Sequence, residues 1–420
     1  MKLRLTMLLV LAPLGHFAWV EAQSRGPEHW VATWTTAQLL VRTPPVPSAA
    51  APPAAARGFN NQTVRMMVRA SIGGRRVRVK ISNAFGSAPL VLGTAHIAIR
   101  NRDSEIVPAS DRALSFNGKP GCTIGPGIVI MTDPVDFNFA PLADLAVSLY
   151  FPGETGPQTN HSTALHTTYI KEGDVTGAPA MADATKTQAY YWLAGIDVAA
   201  PADAALIVAY GDSITDGARS TSETNHSWPA LLAARLAAKK ETANIGVGNM
   251  GIGGNRVLRD QTGASALARF DRDVLSQSGA KWVMLLEGIN DIGHAATAPE
   301  EAVTADELIG AYKQIIDEAH THGIQAIGCT LTPYGGANYS RENGEAIREA
   351  LNTWIRTSGA FDAVVDFEAA TRDAADPKKI RAEFDPGDHL HPNDAGYQAM
   401  ADAIDLSIFT AKKGKVSGAR

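Results

Sequence analysis

The sequence predicts an α/β protein in two parts, in which an antiparallel β-sandwich-like domain precedes a domain built on a parallel sheet with helices on both faces. Before residue 200, apolar and polar residues alternate with a period of two, which is typical of strands with one buried face. After Pro201, short apolar runs alternate with amphipathic helical patterns, which is typical of a parallel sheet. The length of 420 residues also favours two domains over one.

The first part, residues 23–200, is predicted to consist of antiparallel strands. In residues 64–68 and 77–81, apolar side chains alternate with Arg and Lys, and two adjacent glycines lie between these runs, so we predict a β-hairpin with one buried face. Residues 43–57 are rich in Pro and Ala and are predicted to form a surface loop, because repeated prolines remove backbone donors. Further strands are predicted at residues 95–100, 127–131 and 145–151.

The second part, residues 203–410, is predicted to alternate strands and helices. The strand candidates are apolar runs at residues 206–210, 243–247, 282–287, 324–330 and 363–367. The helical patterns lie between and after them, at residues 228–239, 305–320, 346–358 and 395–408.

Composition excludes several classes of function. Lys and Arg number 38 against 43 Asp and Glu, and the resulting net charge of −5 argues against nucleic acid or an anionic membrane surface as a partner. Two cysteines are too few for a disulfide framework or a multi-cysteine zinc site. Cys329 lies in an apolar run and is predicted to be a buried thiol, although the sequence leaves open whether it pairs with Cys122.

The two ends of the chain are predicted to lie outside the folded domains. Residues 1–22 resemble a secretory signal peptide: Lys2 and Arg4 precede a short apolar run, and small residues follow at positions 20 and 22. We therefore expect an exported protein, periplasmic or extracellular, with no integral membrane segment after removal of the signal. Residues 411–420 are predicted to form a flexible tail.

The residues that follow the predicted strands are the candidates for chemistry, because ligands of a parallel sheet bind beyond the carboxyl ends of its strands. Ser213 lies in GDSITDG after the first strand, where its hydroxyl can act as a nucleophile or merely cap a helix. Gly254 lies in the glycine-rich NMGIGGN after the second strand, and Asn290 lies in GIND after the third. Both can donate N–H groups to a ligand, or can simply form tight turns.

A fourth segment, DHLHPN at residues 388–393, supplies an acid and a base. Asp388 and His391 are three positions apart, so we expect them on one side of a helical turn, with the carboxylate against Nδ1 of the imidazole. That contact leaves Nε2 free to accept the proton of a serine hydroxyl. Together with Ser213, these residues predict a serine hydrolase.

These four segments resemble the blocks of the SGNH, or GDSL-type, hydrolase family. GDSI, NMGIGGN, GIND and DHLHP occur in the family's order across residues 205–410, with GDSI in place of GDSL. The resemblance implies a flavodoxin-like sheet of five parallel strands and a catalytic triad of Ser213, His391 and Asp388. It also implies an oxyanion hole formed by the backbone N–H groups of Ser213 and Gly254 and by the side-chain amide of Asn290.

The amino-terminal half is similar to the β domain of a bacterial subgroup of these enzymes and to the arrangement in some carbohydrate acetylesterases. The resemblance implies a serine esterase that cleaves short acyl esters, acetyl esters above all, on a small molecule or a polysaccharide. One alternative is a lipase or phospholipase on longer chains, which the lack of an apolar lid segment disfavours. Another is a carbohydrate-binding protein with an inactive hydrolase domain. The oligomeric state is left open.

Two further patterns suggest cofactors but are weak. Residues 246–251 match G-x-G-x-x-G, yet the glycines continue beyond them and the motif follows a second strand, so we do not expect a dinucleotide. His389 and His391 next to Asp388 form a His-x-His pattern, but no third ligand group stands out nearby. We therefore expect neither an organic cofactor nor a metal.

Overall fold

The computed structural model describes residues 28–40 and 58–410. The predicted signal peptide (1–22), Pro/Ala-rich loop (43–57) and tail (411–420) all lie outside these residues. No helix in the described ranges is long and apolar enough to cross a membrane.

The first half consists of antiparallel strands, apart from a short 3₁₀ turn at Pro108–Ser110. Its strands are β1 (Trp30–Thr35), β2 (Leu39–Leu40), β3 (Gln62–Arg69), β4 (Gly74–Ser82), β5 (Leu90–Leu92), β6 (Ala95–Ile99), β7 (Arg112–Ala113), β8 (Cys122–Ile124), β9 (Val129–Met131), β10 (Val135–Phe139), β11 (Asp144–Phe151), β12 (Thr159–His161), β13 (Thr168–Glu172), β14 (Thr185–Thr187), β15 (Tyr190–Tyr191) and β16 (Leu193–Ala199).

These strands form two large sheets and two small ones. One large sheet has the order β1-β16-β4-β10, with β9 also paired to β4, and the other has the order β14-β13-β3-β11-β6-β7. The small sheets are β2-β12-β15 and β5-β8. The predicted antiparallel β domain ahead of the parallel sheet is therefore confirmed.

The predicted hairpin is wrong, because β3 and β4 belong to different sheets. Residues of β3 pair with β11 and β13, whereas those of β4 pair with β16, β10 and β9. Gly73 and Gly74 carry the chain between the sheets: a Cβ atom on Gly73 would lie 2.6 Å from the Phe139 carbonyl oxygen, and one on Gly74 would lie 2.0 Å from a Val198 methyl group. Tight packing, rather than a hairpin turn, explains the two glycines.

The second half contains five parallel strands in the order β18-β17-β19-β20-β21, which is the flavodoxin-like order 2-1-3-4-5. The predicted five-stranded parallel sheet flanked by helices is confirmed. The strands are β17 (Ala205–Gly211), β18 (Ile245–Gly251), β19 (Ala280–Leu286), β20 (Gln325–Cys329) and β21 (Ala363–Val365).

Helices cover both faces of this sheet. They are α1 (Ser213–Asp216), α2 (Trp228–Ala237), α3 (Ala266–Phe270), α4 (Ile289–His294), α5 (Ala305–Thr321), α6 (Glu342–Thr357), α7 (Phe367–Thr371) and α8 (Asp394–Asp402). A π-helical turn, Asp271–Leu275, continues α3, and short 3₁₀ turns occur at Pro299–Glu301, Ala382–Phe384 and Leu406–Phe409.

The two halves share one hydrophobic core, and glycines allow β1 to approach β18 closely. A Cβ atom on Gly246 would lie 2.8 Å from the Ala32 carbonyl oxygen, and one on Gly248 would lie 2.5 Å from the Thr35 hydroxyl. Val31 and Leu206, one from each half, belong to the same buried cluster. The glycines of the G-x-G-x-x-G pattern thus lie within a strand, where Gly246 and Gly248 make room for the β domain and Gly251 makes room for the backbone of Asp212 and Asp216.

Candidate active site

The predicted nucleophile lies at a sharp turn between β17 and α1. A Cβ atom on Gly211, the last residue of β17, would lie 2.1 Å from the Leu286 carbonyl oxygen, so the strand passes its neighbour too closely for any side chain at this position. The carboxylate of Asp212 accepts a hydrogen bond from the Ile214 amide at 2.9 Å and caps α1. The turn therefore presents Ser213, which is only 9% exposed, at the carboxyl end of β17.

Ser213, His391 and Asp388 lie in one chain of hydrogen bonds. The Ser213 hydroxyl lies 2.8 Å from Nε2 of His391, although 178 positions separate the two residues. On the other side of the ring, Nδ1 of His391 donates to Oδ2 of Asp388 at 3.0 Å. This second contact fixes the proton on Nδ1, so that Nε2 is the nitrogen able to accept the serine proton.

The Asp388–His391 contact does not depend on a helix, contrary to the predicted helical turn, because α8 begins only at Asp394. Instead, Oδ1 of Asp388 accepts hydrogen bonds from the backbone amides of Leu390 at 3.1 Å and His391 at 3.0 Å. The carboxylate thereby folds a local turn around itself, which is a common role of Asp in loops. Its other oxygen is left to face the imidazole.

Arg219 also contacts this carboxylate, and the sequence analysis missed it. Its Nε atom donates to Oδ2 of Asp388 at 2.8 Å. Partial burial alone would raise the pKa of Asp388, but hydrogen bonds from the amide and ring of His391 and from Arg219 outweigh burial and hold that pKa well below its usual range. Asp388 is therefore ionised at any pH at which a neutral histidine can act as a base.

The predicted oxyanion donors surround the loop that follows β18. This loop lies beside the nucleophile, since a Cβ atom on Gly253 would be 3.9 Å from Cβ of Ser213. Gly254 has a φ of +77°, and its amide has no acceptor among the described residues. The side-chain amide of Asn290 donates to the Asn255 carbonyl at 2.9 Å, which holds Asn290 against the same loop.

Asp291 holds the continuation of this loop in place through two hydrogen bonds. Its two carboxylate oxygens accept hydrogen bonds from the amides of Val257 at 2.7 Å and Leu258 at 3.0 Å. Burial raises its pKa to about 6 in spite of these bonds. Two residues of the GIND segment, Asn290 and Asp291, therefore bind the backbone of the loop that follows β18.

A fully buried arginine, Arg269, joins the ends of β17 and β18 to this loop. It donates to the carbonyl oxygens of Gly211 at 2.9 Å and Met250 at 2.8 Å, and to Oδ1 of Asn255 at 2.9 Å. It also forms an ion pair with Asp273 at 3.0 Å. No local pattern in the sequence points to this residue, because its partners converge only when the strands are side by side.

Two further buried carboxyl groups, Asp212 and Glu287, lie near this arginine. Burial raises the pKa of Asp212 to about 7. Burial and the negative charge of Asp212 raise the pKa of Glu287 well above its usual range. Neither oxygen of Glu287 has a hydrogen-bond partner in the described part of the chain, although Nη2 of Arg269 approaches Oε2 to 3.5 Å. Burial therefore favours the neutral form of Glu287, and Arg269 is the positive charge of the cluster.

We expect Arg269→Met to reduce the free energy of unfolding by about 3–5 kcal/mol, because it removes one of the two arginine partners of the buried Asp273 and three further buried hydrogen bonds, to Gly211, Met250 and Asn255. Urea-induced unfolding followed by circular dichroism measures the change. The exposed Arg259 provides the matched control, and Arg259→Met should change stability by less than about 0.5 kcal/mol. A loss below about 1 kcal/mol in Arg269→Met would show that the buried network does not hold this region.

The sequence analysis also considered His389 as a metal ligand and the two cysteines as a possible pair. His389 is half exposed and pairs with Asp385. Within residues 28–40 and 58–410, no three His, Cys, Asp or Glu side chains come together as a metal site requires. Cys122 and Cys329 are both free thiols, and Cys329 is buried as predicted.

One protein-family model and several solved structures are similar to part of this chain. Residues 209–399 match the model of the GDSL-like lipase/acylhydrolase family, whereas a search of curated proteins finds no match. A search of solved structures finds an α/β hydrolase from the metagenome of Lake Arreo, Spain, with 23% identity, a TM-score of 0.39 and coverage of 49% of this chain and 96% of the other.

Two more solved structures are similar over about half of the chain. One is a variant of an acetyl xylan esterase from Geobacillus stearothermophilus (23% identity, TM-score 0.38, 49% of this chain and 96% of the other). The other is a GDSL-like lipase from Bacteroides thetaiotaomicron (21% identity, TM-score 0.36, 48% and 87%). The family match and the five-stranded sheet lead to one conclusion: residues 209–399 form a hydrolase domain of the GDSL-like lipase/acylhydrolase family.

Proposed function

We propose that this protein is a serine esterase that hydrolyses short acyl esters, acetyl esters of carbohydrates above all, through a covalent acyl-enzyme. The observation that carries the proposal is the 2.8 Å contact between the Ser213 hydroxyl and Nε2 of His391. A serine hydroxyl is too weakly acidic to attack an ester unaided, and an adjacent imidazole oriented by a carboxylate is the group that activates it.

The reaction proceeds in two halves. In the first, Ser213 attacks the ester carbonyl carbon while His391 takes the serine proton, and the ionised Asp388 stabilises the imidazolium that results. His391 then gives this proton to the leaving alcohol, and the acyl group remains on Ser213. In the second half, His391 removes a proton from water, and the hydroxide attacks the acyl-enzyme. His391 then returns this proton to the Ser213 oxygen as the bond to the acyl group breaks and the acid leaves.

The negative charge that forms on the carbonyl oxygen needs hydrogen-bond donors. We assign this role to the backbone amides of Ser213 and Gly254 and to the side-chain amide of Asn290. The Ser213 amide is the first N–H of α1, and neither it nor the Gly254 amide has an acceptor among the described residues, so both are free to bind the oxyanion. Asn290 uses one of its two amide hydrogens on Asn255 and retains the other.

We expect Asn290→Ala to lower kcat by about 10²- to 10³-fold and to change KM only a few-fold, because the lost hydrogen bond forms chiefly in the transition state. Initial rates on p-nitrophenyl acetate measure both constants. The exposed Asn338 supplies the control, and Asn338→Ala should match the unaltered enzyme. A fall of less than about five-fold in kcat would remove Asn290 from the oxyanion hole.

The preference for short acyl groups and for carbohydrate alcohols rests on the resemblance of the two-domain arrangement to carbohydrate acetylesterases. A panel of p-nitrophenyl esters with acyl chains from acetyl to octanoyl, together with acetylated xylan, tests both. We expect kcat/KM to fall as the acyl chain lengthens and acetate to be released from the polymer. Faster turnover of the octanoyl ester than of the acetate would favour a lipase instead.

We also propose that the protein is exported, on the strength of the signal-like pattern at residues 1–22. Expression of the full chain and of a chain beginning at residue 23, each followed by fractionation, tests this. The full chain should appear outside the cytoplasm and lose its first residues, whereas the shortened chain should be retained. Equal distribution of the two would contradict export by this segment.

A further inference from the structure

A cavity of about 110 Å³ lies between the β half and the hydrolase half, beside the helix that carries Ser213. The β half contributes Trp34 and Tyr190 to its walls, and the hydrolase half contributes Asp216, Ser227 and Ala230. Asp216 is the last residue of α1, one helical turn after Ser213. Ser213 itself does not line the cavity, so the cavity is separate from the reacting hydroxyl.

One wall of the cavity is aromatic and aliphatic. The rings of Trp34 and Tyr190 meet edge to face, with centroids 4.9 Å apart. Leu142, Leu165 and Pro229 add aliphatic surface. A wall of this kind fits the C–H groups of a small molecule and gives no preference for a charged one.

Two residues of the lining carry hydroxyl groups that have no partner among the described residues. Tyr190 is 6% exposed and Ser227 is 4% exposed, yet neither hydroxyl forms a hydrogen bond with any described residue. Ser227 occupies the N-cap position of α2 without bonding to that helix through its side chain. Both oxygens are accessible to solvent, so each can exchange a bound water for a hydroxyl group of a ligand.

Asp216 supplies an acceptor and a negative charge. Its Oδ1 atom accepts a hydrogen bond from Nε2 of the buried His161 at 3.0 Å, and Nδ1 of His161 lies 2.9 Å from the Ala37 carbonyl oxygen. The second carboxylate oxygen, Oδ2, has no partner among the residues that the structure describes. It can accept a hydrogen bond from a ligand hydroxyl. Both nitrogens of His161 face acceptors, so both carry protons, and the charge of this imidazolium balances that of Asp216. Arg69, which also lines the cavity, forms an ion pair with Asp144 at 2.9 Å.

These features select a neutral molecule of modest size that carries several hydroxyl groups and an apolar ring face. We propose that the cavity binds a single neutral sugar ring. The ring hydroxyls would donate to Asp216 and exchange hydrogen bonds with Tyr190 and Ser227, while the C–H face lies against the aromatic wall. This binding does not depend on the ester hydrolysis proposed above, because none of these groups reacts.

Isothermal titration calorimetry on the full chain tests the proposal with D-xylose, D-glucose and D-galactose, each titrated into the millimolar range. We expect saturable binding of at least one of them with a millimolar Kd. D-glucuronate and D-galacturonate should bind at least about ten-fold more weakly than the best neutral sugar, because a carboxylate would lose its hydration in the cavity, where His161 and Arg69 already have carboxylate partners. Absence of saturable binding by all three neutral sugars would show that the cavity holds only solvent.

Three variants connect the binding to this cavity. Tyr190→Phe and Ser227→Ala each remove one hydroxyl that bonds to nothing in the described chain, so each should weaken binding by about 2- to 12-fold and leave the melting temperature unchanged. Ala230→Phe, at a partly exposed lining position, should abolish binding by filling the space. All three should retain turnover of p-nitrophenyl acetate, which reports on the proposed esterase separately. Unaltered sugar affinity in all three would overturn the proposal.

Discussion

Replacement of Ser213 by alanine is expected to lower kcat for p-nitrophenyl acetate by about 10⁵- to 10⁶-fold while the protein stays folded. The hydroxyl contacts His391 and forms no other side-chain hydrogen bond within the described residues, so its loss removes the nucleophile and disturbs little else. Steady-state rates measured at high enzyme concentration give the residual activity, and the melting temperature reports on folding.

A nearby serine gives the control for this substitution. Ser222 is a partly exposed residue nine positions further along the chain, and Ser222→Ala deletes the same atom away from His391. We expect this variant to keep kcat within about two-fold of the unaltered enzyme. Retention of more than about 1% of kcat in Ser213→Ala would mean that another group attacks the ester.

Replacement of Asp388 by asparagine is expected to lower kcat by about 10⁴-fold at pH 7. The amide nitrogen of the new side chain would donate to Nδ1 of His391, which places the ring proton on Nε2, where the ring can no longer accept the proton of Ser213. Arg219 would also lose its ionic partner. The volume of the side chain is nearly unchanged, so the effect should appear in kcat far more than in stability at neutral pH.

Asp385 provides a matched control, because it pairs with His389 in the same stretch of chain. Asp385→Asn should retain kcat within about five-fold. The pKa of Asp388 is lower in the folded protein than its usual unfolded value near 3.9, so its contribution to stability is present above about pH 4 and is lost as the pH falls further. A kcat for Asp388→Asn within about ten-fold of the unaltered enzyme would contradict the role of the carboxylate in orienting His391.

The parallel sheet was predictable because its strands are buried on both faces and therefore appear as continuous apolar runs. Every residue of β17 is buried, and the predicted run differs from it by one residue at each end. The end of β18 was not predictable in this way: the apolar pattern stops at Val247, but the strand continues through Gly251. Gly246 and Gly248 of β18 allow close contact with β1, which is more than about 200 positions away in the sequence. No local pattern reveals a contact between segments so far apart.

Contacts between distant segments also explain why the predicted solvent-exposed face of β3 is wrong. Alternation in β3 indicated one buried face, yet Arg65 on the other face is fully buried. Its guanidinium donates to the carbonyl groups of Ser104 at 2.7 Å and Ala178 at 2.7 Å. The loops that supply those carbonyls cover the polar face of the strand. The loops that cover Arg65 are distant from β3 in the sequence. The alternating pattern of β3 alone therefore predicts that Arg65 is exposed to solvent.

Among the candidate active-site residues, those that follow the strand ends were identifiable because the topology of a parallel sheet brings these positions together. Ser213, Asn290 and Gly254 are in this class. Arg219 and Arg269 were missed, since each acts through contacts made only in the folded chain and neither lies in a motif. Both arginines bind acidic or carbonyl groups of the site. In a structure, such residues can be found by searching for arginines that contact these groups near the ends of the strands.

The pairing of Ser213 with His391 is most directly tested by titration with a serine-reactive fluorophosphonate, followed by mass spectrometry of the modified peptide. We predict one equivalent of label per chain, located on Ser213, together with full loss of esterase activity and slow labelling of His391→Ala. A protein that stays unmodified under these conditions, or that takes the label at a different side chain, would contradict this pairing.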